Sequence, residues 1–443
     1  MKPKSSSDQA ISWSSRLCRS LLFAKLRKLR EGCLTVVEHD RETSFGDLSS
    51  PLRASIYVQQ EDFFRRVLFG GGLGAAEAML QGKWASDDLT VLVRIFARNM
   101  HLSDGLDRGI GWLRRAVARC EHAFRRNTPS GSKRNILSHY DLGNEFYRLF
   151  LDETMSYSSG IFPHRNSTMY EASVAKLDRV CTTLNLRPDD HLLEIGSGWG
   201  GLAVHAAKHY GCRVTTTTIS DEQYQYGREL IQAEGLEDRV TLLRKDYRTL
   251  TGTFDKLVSI EMIEAVGHEY FAEYFRVCGE RLKPDGMMLL QGIVIADERY
   301  RQHLRSVDFI RRYIFPGGCL PSVSVMTQAA GDGAGMRALQ MEDITPHYAE
   351  TLRHWRSSFH EKIHEVRALG FDERFIRMWD YYLCYCEAGF EERQTNVVQL
   401  LLGKRDCRYD CQATEQRSGR ERRANLSGEP MVNSLRQSDE ARS

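Results

Sequence analysis

The spacing of apolar and polar positions divides the chain into two regions. Residues 1–125 open with "WSSRLCRSLLFAKLRKLREG", an amphipathic helical pattern. "CLTVVEHD" and "LRASIYVQ" follow, two short β-branched runs that read as strands. "EDFFRRVLFGGGLGAAEAMLQGKW" has helical spacing broken by glycines at 70–72 and 74. No Lys-Ser/Thr follows them, so they mark turns or close packing and not a phosphate loop. "GWLRRAVARCEHAFRRN" (111–127) predicts a second basic helix, and the Pro/Gly/Ser stretch over 126–134 reads as a linker.

From about 135 helical and strand patterns alternate. Helices are predicted at "MYEASVAKLDRVCTTLNL", "GLAVHAAKHYG", "EQYQYGRELIQAEG" and "EYFAEYFRVCGERL". Strands are predicted at "HLLEIGSG", "RVTTTTIS", "RVTLLRKDY", "FDKLVSIEM" and "GMMLLQGIVI". That order predicts an α/β domain over 135–403 with a mainly parallel sheet covered on both faces, preceded by a smaller α+β domain. Beyond 403 the chain is polar and rich in Arg, Ser and Glu, and 404–443 reads as a disordered tail.

Composition adds little: 42% hydrophobic, 27% charged and net charge +2 describe an ordinary soluble chain without the strongly basic balance of a nucleic-acid binder. Charge is uneven, however. Arg16, Arg19, Lys25, Arg27, Lys28 and Arg30 lie among Leu and Phe near the start, a pattern suited to a membrane surface or to a solvated helix face. No apolar run is long enough to span a bilayer, and eleven cysteines without a secretory signal point to free thiols in the cytoplasm. Cys384-x-Cys386 and Cys407-x3-Cys411 lack the spacing of a zinc knuckle, so no metal site is expected.

The chemistry is concentrated in "HLLEIGSGWGG" (191–201). Gly196 and Gly198 let ligand atoms approach the backbone, and Glu194 at the strand end repels a pyrophosphate while accepting hydrogen bonds from a cation. The next strand ends in "TTTTIS" with no acid for a ribose diol, leaving Thr218 and Gln223 as hydrogen-bonding groups. This combination fits S-adenosylmethionine, which is cationic and phosphate-free.

Four more stretches sharpen the reading: "HYDLGNEFYRLFLDETMSYSSGIF" (139–162), "SIEMIEAVGHEYFAEYF" (259–275), "RRYIFPGGCLPS" (311–322) and "YYLCYCEAGF" (381–390). With the glycine turn they resemble the cyclopropane-fatty-acyl-phospholipid synthases and their mycolic acid methyltransferase relatives, from about 135 to 403 and more weakly before that. The resemblance implies a Rossmann-like class I methyltransferase fold. It implies transfer of a methyl(ene) group to a cis double bond of phospholipid acyl chains, forming a cyclopropane, at the inner face of the cell membrane. A homodimer is implied as well.

By motif, Tyr157, Ser158, Gly196, Gly198, Thr218, Gln223, Asp246 and Tyr247 would hold the cofactor beside Glu194. Tyr157, Phe162, Tyr313, Phe315, Tyr381 and Tyr382 offer aromatic faces to a carbocation, about half of them being expected in the core. The resemblance implies proton removal by a bound bicarbonate. Glu264, Tyr313 and the Ile293 backbone match its ligands, but Ser159 stands in place of a cysteine and Gln291 in place of a histidine. Cys386 matches a cysteine near the active site. Glu261 and His268 either tune Glu264 or face solvent, and His139 is expected to fix its segment over the cofactor. Three alternatives stay open: transfer without ring closure, an inactive lipid- or cofactor-binding protein, and a methyltransferase of soluble small molecules.

Overall fold

The computed structural model describes residues 13–39, 41–102 and 142–409. The basic helix expected over 111–127, the 126–134 linker, His139 and positions 410–443 lie outside the described residues.

The first region is a four-stranded sheet with helices packed on it. Helix α1 (Trp13–Leu26) precedes β1 (Cys33–Glu38), β2 (Arg41–Gly46) and β3 (Arg53–Val58). Helix α2 (Asp62–Leu80), β4 (Trp84–Ser86) and α3 (Leu89–Arg98) follow, and the strand order is β2-β1-β3-β4. Strands β2 and β4 escape the sequence pattern, because β2 buries only Phe45 and β4 has three residues. Helix α2 bends at Gly71, whose φ of 56° and ψ of −144° suit glycine, so the interruption read from the sequence is a kink within one helix.

The second region opens with a short helix over Asn144–Arg148, followed by α4 (Met169–Thr183), which is started by a capping box between Thr168 and Glu171. Then come β5 (His191–Ile195), α5 (Gly201–Tyr210), β6 (Arg213–Thr218), α6 (Asp221–Ala233), β7 (Val240–Arg244), β8 (Phe254–Ile260), α7 (Phe271–Arg281) and β9 (Leu282–Val294). Further along come α8 (Val323–Ala334), β10 (Arg337–Asp343), α9 (Thr345–Glu361), α10 (Glu373–Glu391) and β11 (Asn396–Gly403). The sheet order is β10-β11-β9-β8-β5-β6-β7; β9 through β7 run parallel, and β10 and β11 add an antiparallel edge. The order reverses at β5 and β8, which opens a ligand crevice beyond their carboxyl ends.

The two regions share one core, in which Phe64 and Trp84 belong to the same apolar cluster as Tyr147 and Trp379. Polar ties reinforce the join: Arg94 and Arg98 each donate to Glu392 at 2.7 Å, and Arg377 donates to the Leu80 carbonyl at 3.0 Å. The expectation of a disordered tail from 404 is corrected for 404–409. Lys404 donates to the carbonyls of Gly279 (3.0 Å) and Ala334 (3.1 Å) at the ends of α7 and α8, and Cys407 is buried.

Candidate active site

Beyond the carboxyl ends of β5 and β8 lies a cavity of about 740 Å³. All nine residues expected to hold the cofactor line it. The turn after β5 places Gly196 at φ 94° and Gly198 at φ 50°, left-handed conformations that favour glycine. A Cβ on Gly196 would sit 3.2 Å from the Met262 side chain, which would have to give way to it. Two amides of the turn, Gly196 and Ser197, donate to the Thr217 carbonyl and fix its shape.

Glu194 is buried at the base of this cradle and accepts the Thr216 hydroxyl at 2.5 Å. Burial pushes its carboxyl up to about 8, against the Thr216 bond and the nearby Lys176 charge. Thr218 donates to Gln223 at 2.9 Å and also takes the Ser220 amide, so the pair forms one fixed polar edge. Asp246 is held by Arg248 through its amide and guanidinium at 2.7–3.0 Å, beside Tyr247. Tyr157 stacks on Trp355, with ring centres 5.2 Å apart, and its hydroxyl meets that of Tyr382 at 2.9 Å.

The residues assigned to proton removal are arranged differently. Glu264 and Cys386 line the cavity, whereas Ser159, Gln291 and Tyr313 do not. Tyr313 donates to Glu77 of α2 at 3.0 Å, which corrects its expected place as an anion ligand. The segment Ile310–Ile314 is a π turn, and its wide spacing sends Tyr313 toward α2 while Ile310, Arg311 and Phe315 line the cavity. Of the six aromatic candidates, Tyr157, Phe315, Tyr381 and Tyr382 line the cavity; Phe162 instead stacks on His354. Burial pushes the Cys386 thiol up, which keeps it protonated and suits a wall residue.

Ser159 and Gln291 converge on Glu261. The Ser159 amide donates to Glu261 Oε1 at 3.0 Å, Gln291 Nε2 donates to the same oxygen at 2.8 Å, and the Tyr348 hydroxyl donates to Oε2 at 2.8 Å. Glu264 Oε1 takes the Ile293 amide at 2.5 Å, and its Oε2 is buried without a hydrogen-bond partner. Burial and the charge of Glu261 push Glu264 up to about 8. Glu261 itself sits at φ 49°, a strained backbone for a long side chain, and its surface faces the cavity. His268 is exposed and pairs with Tyr300 instead.

Two participants escape sequence reading, Lys176 and Tyr348. Lys176 is buried in the cavity wall and donates to Ser158 at 3.1 Å, with Glu261, Asp152 and Glu194 close enough to favour its charge against burial. Its signal was present: Lys176 interrupts the Ala172–Val180 face of α4 at a four-residue interval. Among the described residues no three His, Cys, Asp or Glu side chains converge as metal ligands.

Comparison with known proteins places this geometry. The family model for mycolic acid cyclopropane synthetase matches residues 127–400. The chain is 34% identical over 362 residues to tuberculostearic acid methyltransferase UfaA1 of Mycobacterium tuberculosis, covering 80% of this chain and 84% of that one. It is 35% identical over 353 residues to the cyclopropane-fatty-acyl-phospholipid synthase of Escherichia coli K12, covering 79% and 88%. Among solved structures, mycolic acid cyclopropane synthase CmaA1 complexed with SAH and CTAB superposes with a TM-score of 0.58 at 30% identity, over 61% of this chain and 98% of that one.

Proposed function

This chain belongs to the mycolic acid cyclopropane synthetase family and has the class I fold of S-adenosylmethionine-dependent methyltransferases; from that premise we propose that it methylates the cis double bond of unsaturated acyl chains in membrane phospholipids, forming a cyclopropane. The observation that carries the reading is one cavity with two characters. An acid and a glycine cradle close one end, and mostly apolar and aromatic side chains line the rest, with the Lys176, Glu261 and Glu264 group set among them.

The residues present fit the cofactor. Glycine turns leave its backbone approach open, Glu194 is placed to accept an amine, and the Thr218–Gln223 edge offers polar contacts to a sugar or amino-acid group. S-adenosylmethionine, when bound, supplies an electrophilic methyl on a sulfonium. An alkene is a weak nucleophile, so the chain's contribution is alignment in a space without water. Tyr157, Phe315, Tyr381 and Tyr382 present aromatic surface to the positive charge that develops on the lipid.

The cavity continues between the helices and sheet of the first region, where Leu22, Leu34, Phe64 and Trp84 line it, giving a long apolar space suited to an acyl chain. On the outer side of α1, Leu17 (46% exposed) and Leu21 (48%) face out with Arg16, Arg27 and Lys28 nearby. That face suits contact with an anionic membrane, where each Lys or Arg contributes about 1 kcal/mol. No described helix is long and apolar enough to cross a membrane.

A second reading, the same transfer ending in a methyl- or methylene-branched chain, is favoured by the altered proton-removal end, where Glu261 takes the Ser159 and Gln291 donors. Incubation with trideuteromethyl cofactor and vesicles of mono-unsaturated phospholipid separates the two. Upfield ring protons with two deuteriums retained identify the cyclopropane. A trideuteromethyl branch or a new olefinic carbon identifies the second product. No label in any lipid overturns both.

A further inference from the structure

The bicarbonate implied by the resemblance does not fit this chain. Its expected partners already have protein partners: the Ser159 amide and Gln291 bond Glu261, the Ile293 amide bonds Glu264, and Tyr313 bonds Glu77. A free anion brought among them would meet two carboxylates and find these donors occupied. What stands among the donors is a carboxylate of the chain itself.

We propose that Glu261 replaces that anion, and that its ionised carboxylate takes the proton released after methyl transfer. This rests on the methyltransferase reading above. Three independent donors, Ser159 N–H, Gln291 Nε2 and Tyr348 OH, converge on one side chain that faces the cavity. The backbone is held at φ 49° to bring it there, and such strain persists where surrounding structure fixes it. Lys176 supplies a nearby positive charge. Both Glu261 and Glu264 are pushed up by burial, but two close carboxylates resist ionising together. Glu261 accepts three hydrogen bonds and Glu264 one from a neighbouring residue, so the single charge of the pair settles on Glu261.

The step balances without an external base. The alkene π pair forms the new carbon–carbon bond as the methyl–sulfur bond breaks with its pair left on sulfur, and the lipid becomes a carbocation. A carbon–hydrogen bond then breaks. Its pair closes the ring or forms a double bond, and the proton passes to a Glu261 oxygen, from which it exchanges to solvent after product leaves.

The test uses the full chain, with trideuteromethyl cofactor, mono-unsaturated phospholipid vesicles, and buffer freed of carbon dioxide or supplemented with bicarbonate. Wild-type turnover should be the same in both. Glu261→Gln should lose about 100-fold or more in either buffer, a general-base loss. Glu261→Gly, whose glycine tolerates the backbone and leaves the donors open, should lose as much without bicarbonate and regain at least about tenfold with it. S-adenosylhomocysteine affinity, read by calorimetry, should be unchanged in both variants, showing that the cofactor end is intact. Wild-type dependence on bicarbonate, full turnover in either variant in depleted buffer, or a Glu261→Gly defect that bicarbonate leaves untouched overturns the proposal. Carbon-13 bicarbonate binding by NMR decides it without turnover: the wild type should show none and Glu261→Gly should bind, and the reverse overturns it. An unlabelled lipid pool with wild-type enzyme counts against the methyltransferase reading, while the binding experiment still judges Glu261.

Discussion

The two ends of the cavity are built by different means. At the cofactor end, the cradle itself follows from backbone: a strand terminus, left-handed glycines and one acid within residues 194–200, with Tyr157, Ser158, Thr218, Gln223, Asp246 and Tyr247 set around it. At the proton-removal end, residues from separate segments, Ser159, Lys176, Glu261, Gln291 and Tyr348, meet only because the sheet, α4, α9 and the segment before α4 bring them together. A backbone site tolerates little substitution. A side-chain network can exchange one charged group for another and keep its shape.

The sharpest way to break this comparison is Gly196→Val. A β-branched residue at φ 94° facing Met262 should abolish cofactor binding, an affinity loss of at least about 100-fold, while circular dichroism stays native. Normal S-adenosylhomocysteine affinity by calorimetry would show that the cradle is not the cofactor site. Lys176→Met comes next, because its ammonium lies near Glu194, Glu261 and Asp152. Removing it leaves the buried Glu261 carboxylate without its nearby cation and should cost about 3–5 kcal/mol in chemical denaturation. An unchanged midpoint would mean the ends are electrostatically independent.

Proton linkage gives a smaller, graded effect. Glu194 is raised from 4.5 to about 8 in the folded chain, so its protonated form contributes stability that is full below pH 4.5 and lost as pH rises through about 8. A cationic ligand needs the carboxylate. Cofactor affinity should therefore tighten up to about tenfold per pH unit toward pH 8 and then level off, with proton release seen by calorimetry in buffers of different ionisation enthalpy. Affinity that does not vary with pH would show that Glu194 keeps its proton. The smallest effect is expected for Tyr313→Phe. Losing the Glu77 bond should cost about 1 kcal/mol and leave turnover within a few-fold. A large drop in kcat would return Tyr313 to the reaction.

The same contrast explains what was legible in the sequence. Strand–helix alternation exposed the parallel sheet, and the acid–glycine turn exposed its ligand end, because both are written in neighbouring residues. Strand β10 was hidden because it is an exposed edge, and β2 because it buries a single residue. Motif order located Tyr313 in the chain but could not give its direction, which the π turn decides. Glu261 was visible as an acid near Glu264, yet its partners lie 102, 30 and 87 residues away, so its burial and role depend on tertiary structure.

The left-handed backbone at Glu261 has a consequence in the genetic code. Glycine, the residue best suited to that conformation, and glutamate are separated by a change at the second base of a codon, GGA to GAA or GGG to GAG. In this chain, the exchange that opens the anion pocket is thus one base change, with the surrounding donors left in place.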